Sequence, residues 1–202
     1  MHEAEGSRPD VKTPETGSRT PNYNVFVQVS IRDSRREDFD WLWRIDQQCF
    51  PPEISYSRLE LAVYMRRPGS FTLVAETIPN HNHPAEAIQM TSTAAPAILG
   101  FIVAQAQRRA QGHIITIDVV EQARRSGVGS KLLAAAEVRL QAARCEVVHL
   151  ETAVDNVPAL AFYKRHGYYL EKTVPRYYSN GVDAFLLKKD LPPDGKTATV
   201  RA

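Results

Sequence analysis

The chain has 202 residues, 43% of them hydrophobic, which is enough for one folded domain with a single core. Its formal net charge of +2 gives no indication of a nucleic-acid partner, and no apolar stretch has the length of a membrane span or of a signal-peptide core. The two cysteines, Cys49 and Cys145, lie in apolar contexts and are expected to be reduced thiols, so we predict a cytoplasmic protein without a membrane partner.

Composition separates a predicted domain from three polar segments. Residues 1–25 and 192–202 are rich in Pro, Thr, Gly and charged side chains and have no hydrophobic periodicity, which predicts disordered tails. A third polar interruption, at 78–97, is predicted to be a long loop between two strands. The domain is therefore predicted over residues 26–191.

The first half of this domain alternates between strand and helix patterns. FVQVSIRD predicts a strand, residues 36–48 a helix, and SRLELAVYMRR a second helix with Ser57 as its N-cap. Three strands follow in FTLVAET, AILGFIVAQAQ and HIITIDVV. Strands that succeed one another without helices predict an antiparallel meander.

The hydrophobic period then changes to that of a helix. Apolar residues recur at the spacing of an amphipathic helix: Val128, Leu132, Ala136, Leu140 and Ala143. EVVHLETAV predicts a buried strand, NVPALAFYKRH a short helix that Gly167 ends, and GVDAFLLKKDL a closing strand. The expected fold class is α/β (α+β), a mixed, mainly antiparallel sheet with helices on both faces.

Flexible and basic residues stand directly before the first of these C-terminal helices, in ARRSGVGSKLL. The first turn of a helix attracts anions, Gly127 and Gly129 leave its backbone accessible, and Arg124 and Arg125 add charged donors, so a diphosphate is the natural ligand. The glycine spacing fits neither a Walker A loop nor a Rossmann fingerprint. By itself, a GxG pair is more typical of a simple helix cap.

The neighbouring residues favour a binding role. Arg124-x-x-Gly127-x-Gly129, between IITIDVV and SKLLAAAE, resembles the acetyl-CoA motif of the GNAT superfamily of N-acyltransferases, and HLETAVDNVPALAFYKRHGYYL resembles the segment that follows it. The resemblance extends from about Val27 to Leu191. It departs at Glu121, where the family often has proline. It implies a splayed pair of central strands with a slot for the cofactor.

The resemblance also implies the cosubstrate, acetyl-CoA, and the residues that hold it. Backbone groups around the end of the third meander strand would pair with pantetheine, the glycine loop would hold the diphosphate, and Asn156, which also suits a helix N-cap, would lie near the cofactor. The expected cofactor-binding residues are Ile117, Asp118, Val119, Arg124, Arg125, Ser126, Gly127, Val128, Gly129, Ser130 and Asn156.

Two residues are candidates for proton transfer. Glu151 lies in an apolar strand, where a carboxylate is either paired structurally or held for use; it matches the general base of the ribosomal-protein alanine N-acetyltransferase (RimI-type) branch. Tyr163 suits a core position with its hydroxyl at the rim, and it matches the general acid of the family. His149, beside Glu151, is expected to be structural. No metal site is expected, because His81 and His83 alone do not make one.

The acceptor side is predicted from the C-terminal residues. RYYSNGVDAFLLKKDL resembles the hairpin of protein N-terminal acetyltransferases, with Asn180-Gly181 as its turn, and implies that Tyr177 and Tyr178 line the acceptor channel opposite Pro51. The predicted activity is acetyl transfer to a protein or peptide N-terminus, such as that of a ribosomal protein, by direct attack in a ternary complex. A small-molecule amine as acceptor and a non-catalytic acyl-CoA-binding module remain alternatives.

Overall fold

The computed structural model describes residues 28–78 and 97–192. The predicted tail over 1–25 lies outside the described residues, as do all but the ends of the predicted loop 78–97 and all but Pro192 of the tail 192–202. These three assignments stay predictions.

Seven strands and four helices make up the described part of the chain. The strands are β1 (Gln28–Asp33), β2 (Ser70–Ile78), β3 (Ile98–Gln107), β4 (Gln111–Val119), β5 (Val147–Ala153), β6 (Tyr169–Val174) and β7 (Ala184–Asp190). The helices are α1 (Phe39–Cys49), α2 (Arg58–Arg66), α3 (Val128–Ala142) and α4 (Val157–Arg165). Short 3-10 turns at Arg36–Asp38 and Glu121–Ala123 precede α1 and the loop before α3.

The strands form a single mixed sheet in the order β1-β2-β3-β4-β5-β7-β6. All neighbouring pairs are antiparallel except β4 and β5, which run parallel. The meander of β2, β3 and β4 and the mainly antiparallel sheet are therefore confirmed.

Helices cover both faces of this sheet, as predicted. Leu132 and Leu140 of α3 and Tyr163 of α4 pack with Ile102 and Leu150 in one cluster of buried side chains. On the other face Leu42 and Ile45 of α1 and Leu61 of α2 pack on Val74 and Phe101. Burying one such large apolar side chain contributes about 1.5–3 kcal/mol, so these two clusters hold the helices on the sheet.

Side-chain caps fix where two of the helices begin. The hydroxyl of Ser57 accepts the N–H of Glu60 at 3.3 Å, and the carboxylate of Glu60 accepts the N–H of Ser57 at 2.9 Å. Asn156 Oδ1 accepts the N–H of Ala159 at 3.2 Å. Both predicted N-caps are confirmed, since each satisfies a backbone donor that the helix leaves unpaired.

Two details of the predicted helices and strands are wrong. Ala143, predicted to face the core, is exposed directly after the end of α3, whereas Leu133, which the predicted apolar face did not include, is buried. The pattern gave no strand at β6, because this edge strand is exposed along most of its length and so lacks hydrophobic alternation.

The predicted Asn180-Gly181 hairpin turn is also corrected. These residues lie within the loop 175–183 that joins β6 to β7, and Gly181 N–H bonds the carbonyl of Tyr178 at 2.8 Å. Gly181 has a φ of +82°, but Asn180 is not among the residues with positive φ, whereas a two-residue type I′ hairpin requires positive φ at both positions. The turn at Asn180-Gly181 therefore lies inside this loop and does not join β6 directly to β7.

A bulge in β4 changes which side chains share a face. Val103 pairs with Thr116 and Ala104 with Ile114, so Ile115 is an extra residue in β4. The alternation of side chains shifts at this point. As a result His113, before the bulge, and Asp118, after it, both lie on the face that carries α1 and α2.

Two remaining observations concern cysteines and helix length. Cys49 is half-buried, Cys145 is buried, and both are free thiols, as expected. Within residues 28–78 and 97–192, none of the helices has the length and hydropathy needed to cross a bilayer.

Candidate active site

The parallel strands β4 and β5 separate part-way along their length. They pair only at Gln111–Val147, Gly112–Val148 and His113–His149. Beyond these pairs the backbone of β4 from residue 114 and that of β5 from residue 150 face each other across a V-shaped opening. The splayed pair expected from the resemblance is present, and because both strands run the same way, the loops before α3 and α4 lie at the wide end.

The glycine loop lies at this wide end. Gly127 is the N-cap of α3 and has a φ of +89°, a left-handed conformation that favours glycine. A Cβ placed on Gly127 would meet nothing within 4 Å, whereas one on Gly129 would lie 3.5 Å from the ring of Phe162. The start of α3 is thus open on the side of Gly127, as an anion site at a helix N-terminus requires.

The two arginines before this loop differ in their contacts. Arg124 Nε donates to the carbonyl of Val119 at 3.1 Å, and Arg124 Nη2 lies 3.6 Å from Cys49 Sγ. Arg125 is exposed and has a φ of +62°. Arg124 therefore occupies one of the backbone acceptors predicted to meet pantetheine, while its side chain stays exposed to solvent.

Among the other predicted cofactor residues, the two serines form side-chain hydrogen bonds and the three aliphatic residues are partly or fully buried. Ser126 Oγ donates to the carbonyl of Ala123 at 2.7 Å, and Ser130 Oγ lies 3.0 Å from His166 Nε2, which links α3 to the end of α4. Val128 is 2% exposed, so its side chain belongs to the core and only its backbone is placed at the loop. Ile117 and Val119 are half-buried on the α3 side of the sheet.

Glu151 lies where β4 and β5 begin to separate. Its Oε2 is 2.8 Å from His113 Nε2, and the two side chains are 21% and 24% exposed. Because an ionised carboxylate only accepts hydrogen bonds, His113 Nε2 must carry the hydrogen when Glu151 is charged. The contact holds one carboxylate oxygen and leaves Oε1 as a further acceptor.

The predicted acceptor-side tyrosines lie beside Glu151. The rings of Tyr177 and Tyr178 pack edge to face with centroids 5.0 Å apart. Burial, and then the negative charge of Glu151, raise the pKa of Tyr178 to about 12, and the same two causes raise the pKa of Tyr177 further. Both hydroxyls stay protonated at neutral pH and can donate hydrogen bonds.

Tyr163 is on the α3 side of the opening. It is 7% exposed and belongs to the core cluster of α3 and α4, so the predicted rim position is only partly correct. Burial, and then the nearby charges of Asp118 and Tyr178, raise its pKa well above the usual value of a tyrosine. Tyr163 is therefore a protonated group close to both strands of the opening.

Two buried carboxyl groups, which sequence reasoning did not anticipate, lie beneath the site. Asp118 is 1% exposed and accepts only Thr116 Oγ1, at 3.1 Å, while its Oδ2 has no partner among the described residues. Asp46 accepts the N–H of Tyr56 at 2.8 Å. Burial, and then the charge of Asp46, raise the pKa of Asp118 well above its usual value, because both oppose ionisation of this carboxyl group.

Two loops lie where the acceptor side was predicted. Pro51 is exposed in the loop between α1 and α2, where its carbonyl accepts the N–H groups of Ile54 and Ser55, each at 2.9 Å. Ser179 Oγ, in the β6–β7 loop, donates to the carbonyl of Glu53 at 2.6 Å. The predicted opposite walls are thus joined by a hydrogen bond between residues far apart in the sequence.

His149 has the structural contact that was expected of it. Its Nε2 lies 3.4 Å from Glu171 Oε2, and the residue lines a cavity of about 370 Å³ together with His113, Glu151 and Glu171. No group of three or more His, Cys, Asp or Glu residues able to hold a metal occurs in the described part of the chain. His81 and His83 lie outside it.

His113 is the main functional candidate that sequence reasoning missed. The β4–β5 pairing places it next to His149 in register and on the same face as Glu151. The period-2 pattern of HIITIDVV contained His113, but the order of the strands in the sheet was needed to connect it with Glu151.

Comparison with models of known protein families identifies the family of this chain. A model described as the acetyltransferase (GNAT) family matches residues 37–168, more than half of the chain. The chain belongs to this family. The match confirms the superfamily predicted from the glycine loop and its neighbours.

Individual relatives refine the comparison. The chain is 39% identical over 82 residues to an N-alpha-acetyltransferase of Sulfurisphaera tokodaii, which covers 40% of this chain and 49% of that protein, so the chain spans about half the length of this curated relative. The solved structure of Ard1 from Thermoplasma volcanium matches with a TM-score of 0.67 and 27% identity, over 81% of this chain and 98% of that one.

The RimI-type branch is not singled out by the comparisons. The ribosomal-protein-S18-alanine N-acetyltransferase from Escherichia coli matches with a TM-score of 0.64 but only 16% identity, over 84% of this chain and 99% of that one. This likeness shows the fold alone.

Proposed function

We propose that this protein is an acetyl-CoA-dependent N-acetyltransferase whose acceptor is the α-amino group of a protein or peptide N-terminus, attacked directly in a ternary complex. The contact between Glu151 and His113 carries the proposal, because it fixes a carboxylate at the point where the central strands separate. The relative from Sulfurisphaera tokodaii, which is named an N-alpha-acetyltransferase, supports the class of acceptor.

The wide end of the opening fits acetyl-CoA, which supplies an activated thioester and a diphosphate. Gly127 leaves the start of α3 open, and Arg125 is exposed next to it. The unpaired edges of β4 and β5 offer backbone donors and acceptors to the pantetheine arm. Arg124 would exchange its bond to Val119 for a phosphate oxygen.

Glu151 is the proposed general base. An α-amino group has a pKa near ~8, so a useful neutral fraction exists at pH 7 and one carboxylate is enough to take up the proton released on attack. His113 holds Oε2 of this carboxylate, which leaves Oε1 to face the amine. His113 is thus a positioning residue for the base.

Tyr163 is the proposed general acid. Its raised pKa keeps the hydroxyl protonated through the range in which the enzyme would work, so it can protonate the leaving thiolate. Tyr177 and Tyr178 lie beside Glu151 on the side from which the acceptor would enter, and we assign them to binding of the acceptor backbone. Pro51 belongs to the opposite wall. A ribosomal protein as the acceptor rests on the sequence resemblance alone.

Exchange of Glu151 for glutamine tests this assignment. Glu151→Gln is nearly isosteric and should lower turnover of a peptide with a free N-terminus about a hundredfold to ten-thousandfold, with acetyl-CoA affinity unchanged. Glu171→Gln is the matched control, because Glu171 is a carboxylate paired with a histidine in the same cavity. Its turnover should stay close to that of the wild type. Equal losses in the two variants would contradict the assignment.

The acceptor class needs a separate comparison. Turnover should be measured with one peptide carrying a free N-terminus, with the same peptide blocked at its N-terminus but containing lysine, and with a polyamine. The proposal expects activity on the first alone. Activity on the polyamine alone would favour the small-molecule alternative, and acetyl-CoA binding without turnover of any amine would favour a non-catalytic module.

A further inference from the structure

A second cavity lies between the start of α1 and the end of α2, and none of its residues belongs to the candidate active site. It has a volume of about 290 Å³, at the small end of the range for ligand pockets. It is lined by Ser34, Arg35, Arg36, Phe39, Ala62, Met65, Arg66 and Thr72.

A buried hydroxyl in this cavity has no partner. Thr72 is 5% exposed, and its Oγ1 forms no hydrogen bond with any described residue. Ser34 N–H donates to the carbonyl of Thr72 at 2.9 Å, so the two residues are cross-strand neighbours and their side chains share one face. A buried polar atom without a partner is costly. Thr72 lines the cavity but its Oγ1 is covered, so rotation of the side chain would bring this oxygen to a ligand.

The charge around the cavity is positive. None of the ion pairs within the described residues involves Arg35, Arg36 or Arg66. The buried carboxylate of Asp38, close by in the sequence, is already bonded to Arg32 and to the backbone N–H of Arg35.

The remaining wall is apolar. Phe39, Ala62 and Met65 face the same cavity as the three arginines. We propose that this cavity binds a small phosphate monoester, with the phosphate on the guanidinium and hydroxyl groups and a small apolar or aromatic moiety against this wall. A phosphate monoester has three terminal oxygens and nearly two negative charges, which suit several arginines better than a carboxylate does.

Phenyl phosphate is a suitable probe, because it combines the monoester with an aromatic ring. Its binding to the full chain should be measured by calorimetry beside that of inorganic phosphate and phenol. Arg66→Gln and Thr72→Val should each weaken phenyl phosphate binding about tenfold, which corresponds to the loss of one charge-assisted hydrogen bond. Thr72→Ser retains the hydroxyl and should bind like the wild type.

Arg44→Gln is the matched control. Arg44 is exposed on α1, stacks on Trp41 and does not line the cavity, but its exchange removes the same charge. It should change the affinity less than twofold. Unchanged thermal unfolding of Thr72→Val would show that a loss of binding does not come from misfolding.

Three results would overturn the proposal. The first is absence of phenyl phosphate binding at millimolar concentration. The second is equal affinity for inorganic phosphate and phenyl phosphate, which would leave the apolar wall without a role. The third is equal weakening in Arg44→Gln and Arg66→Gln, which would indicate general attraction to a basic surface. If the proposal holds, titration with 5′-AMP and with a phosphotyrosine peptide distinguishes a free small molecule from a phosphorylated side chain.

Discussion

Exchange of the two loop glycines for alanine should separate folding from cofactor binding. Gly127 has a φ of +89°, and a Cβ there meets nothing within 4 Å, so Gly127→Ala gains no contact and carries only the conformational cost. For an L-residue in the left-handed region this cost is about 1–2 kcal/mol. Gly129 lies inside α3, where alanine is favoured over glycine by roughly 0.5–1 kcal/mol, and its Cβ would make an ordinary 3.5 Å contact with Phe162.

Stability and affinity should therefore change in different ways. Gly127→Ala should lower the melting temperature by a few degrees, at about 2–4 °C per kcal/mol for a domain of this size, while Gly129→Ala should leave it unchanged or slightly raised. Only the Gly127 methyl group would point into open space, where a diphosphate would approach the backbone, because the Gly129 methyl group faces Phe162. Gly127→Ala should therefore bind acetyl-CoA at least tenfold more weakly, because the lost contacts are charge-assisted hydrogen bonds, and Gly129→Ala should bind it nearly as the wild type does.

Thermal unfolding and calorimetry with acetyl-CoA measure the two quantities. Gly129→Ala is the matched control, because it adds the same methyl group away from the open side of the loop. If Gly127→Ala bound acetyl-CoA as the wild type does, the start of α3 would not be the diphosphate site. An equal loss of affinity in both variants would show that the effect does not come from the open side of Gly127.

Three further results are expected. Tyr163→Phe should lower peptide turnover by about a hundredfold or more at every pH from about 6 to 9.5 in steady-state rate profiles, because the raised pKa of Tyr163 keeps it protonated throughout, and recovery at high pH would contradict its role as acid. Ser57→Ala should cost about 1 kcal/mol in urea unfolding, because α2 loses its reciprocal cap with Glu60; an unchanged midpoint would show that the cap contributes nothing. Burial raises the pKa of Asp46 from 3.8 to about 6, so the folded state binds this proton more tightly than the unfolded state. The wild type should therefore lose up to about 3 kcal/mol of stability relative to Asp46→Asn as pH rises from about 3 to 7, in unfolding curves taken at each pH.

Local patterns were enough to predict most of the fold. The period-2 strands β2 to β4, the helical period of α3 and the caps at Ser57 and Asn156 are all decided by residues close together in sequence. Edge strand β6 was missed because its side chains are mostly exposed, so its sequence carries no alternation. The register of β6 is set instead by pairing with β7, which no local pattern records.

The candidate site was only partly predictable, for a reason that lies in β4. Strict alternation along HIITIDVV places His113 and Asp118 on opposite faces of the strand. The extra residue at Ile115 brings both to the face that carries Glu151, Asp46 and the acceptor-side loops. A bulge depends on the pairing with β3, so the residues of β4 alone did not reveal it.

The short pairing between β4 and β5 also affects how the molecule unfolds. Three residue pairs join β1–β4 to β5, β7 and β6, and α3 packs mainly on the first group. The two parts of the sheet are thus joined by few backbone bonds, although the buried cluster beneath α3 and α4 spans both, and local opening at this junction should need less free energy than global unfolding. A ligand that forms hydrogen bonds with the unpaired edges of both strands would add bonds across this junction. Binding of the cofactor would then raise the free energy of unfolding of the protein, in addition to any part that the cofactor has in acetyl transfer.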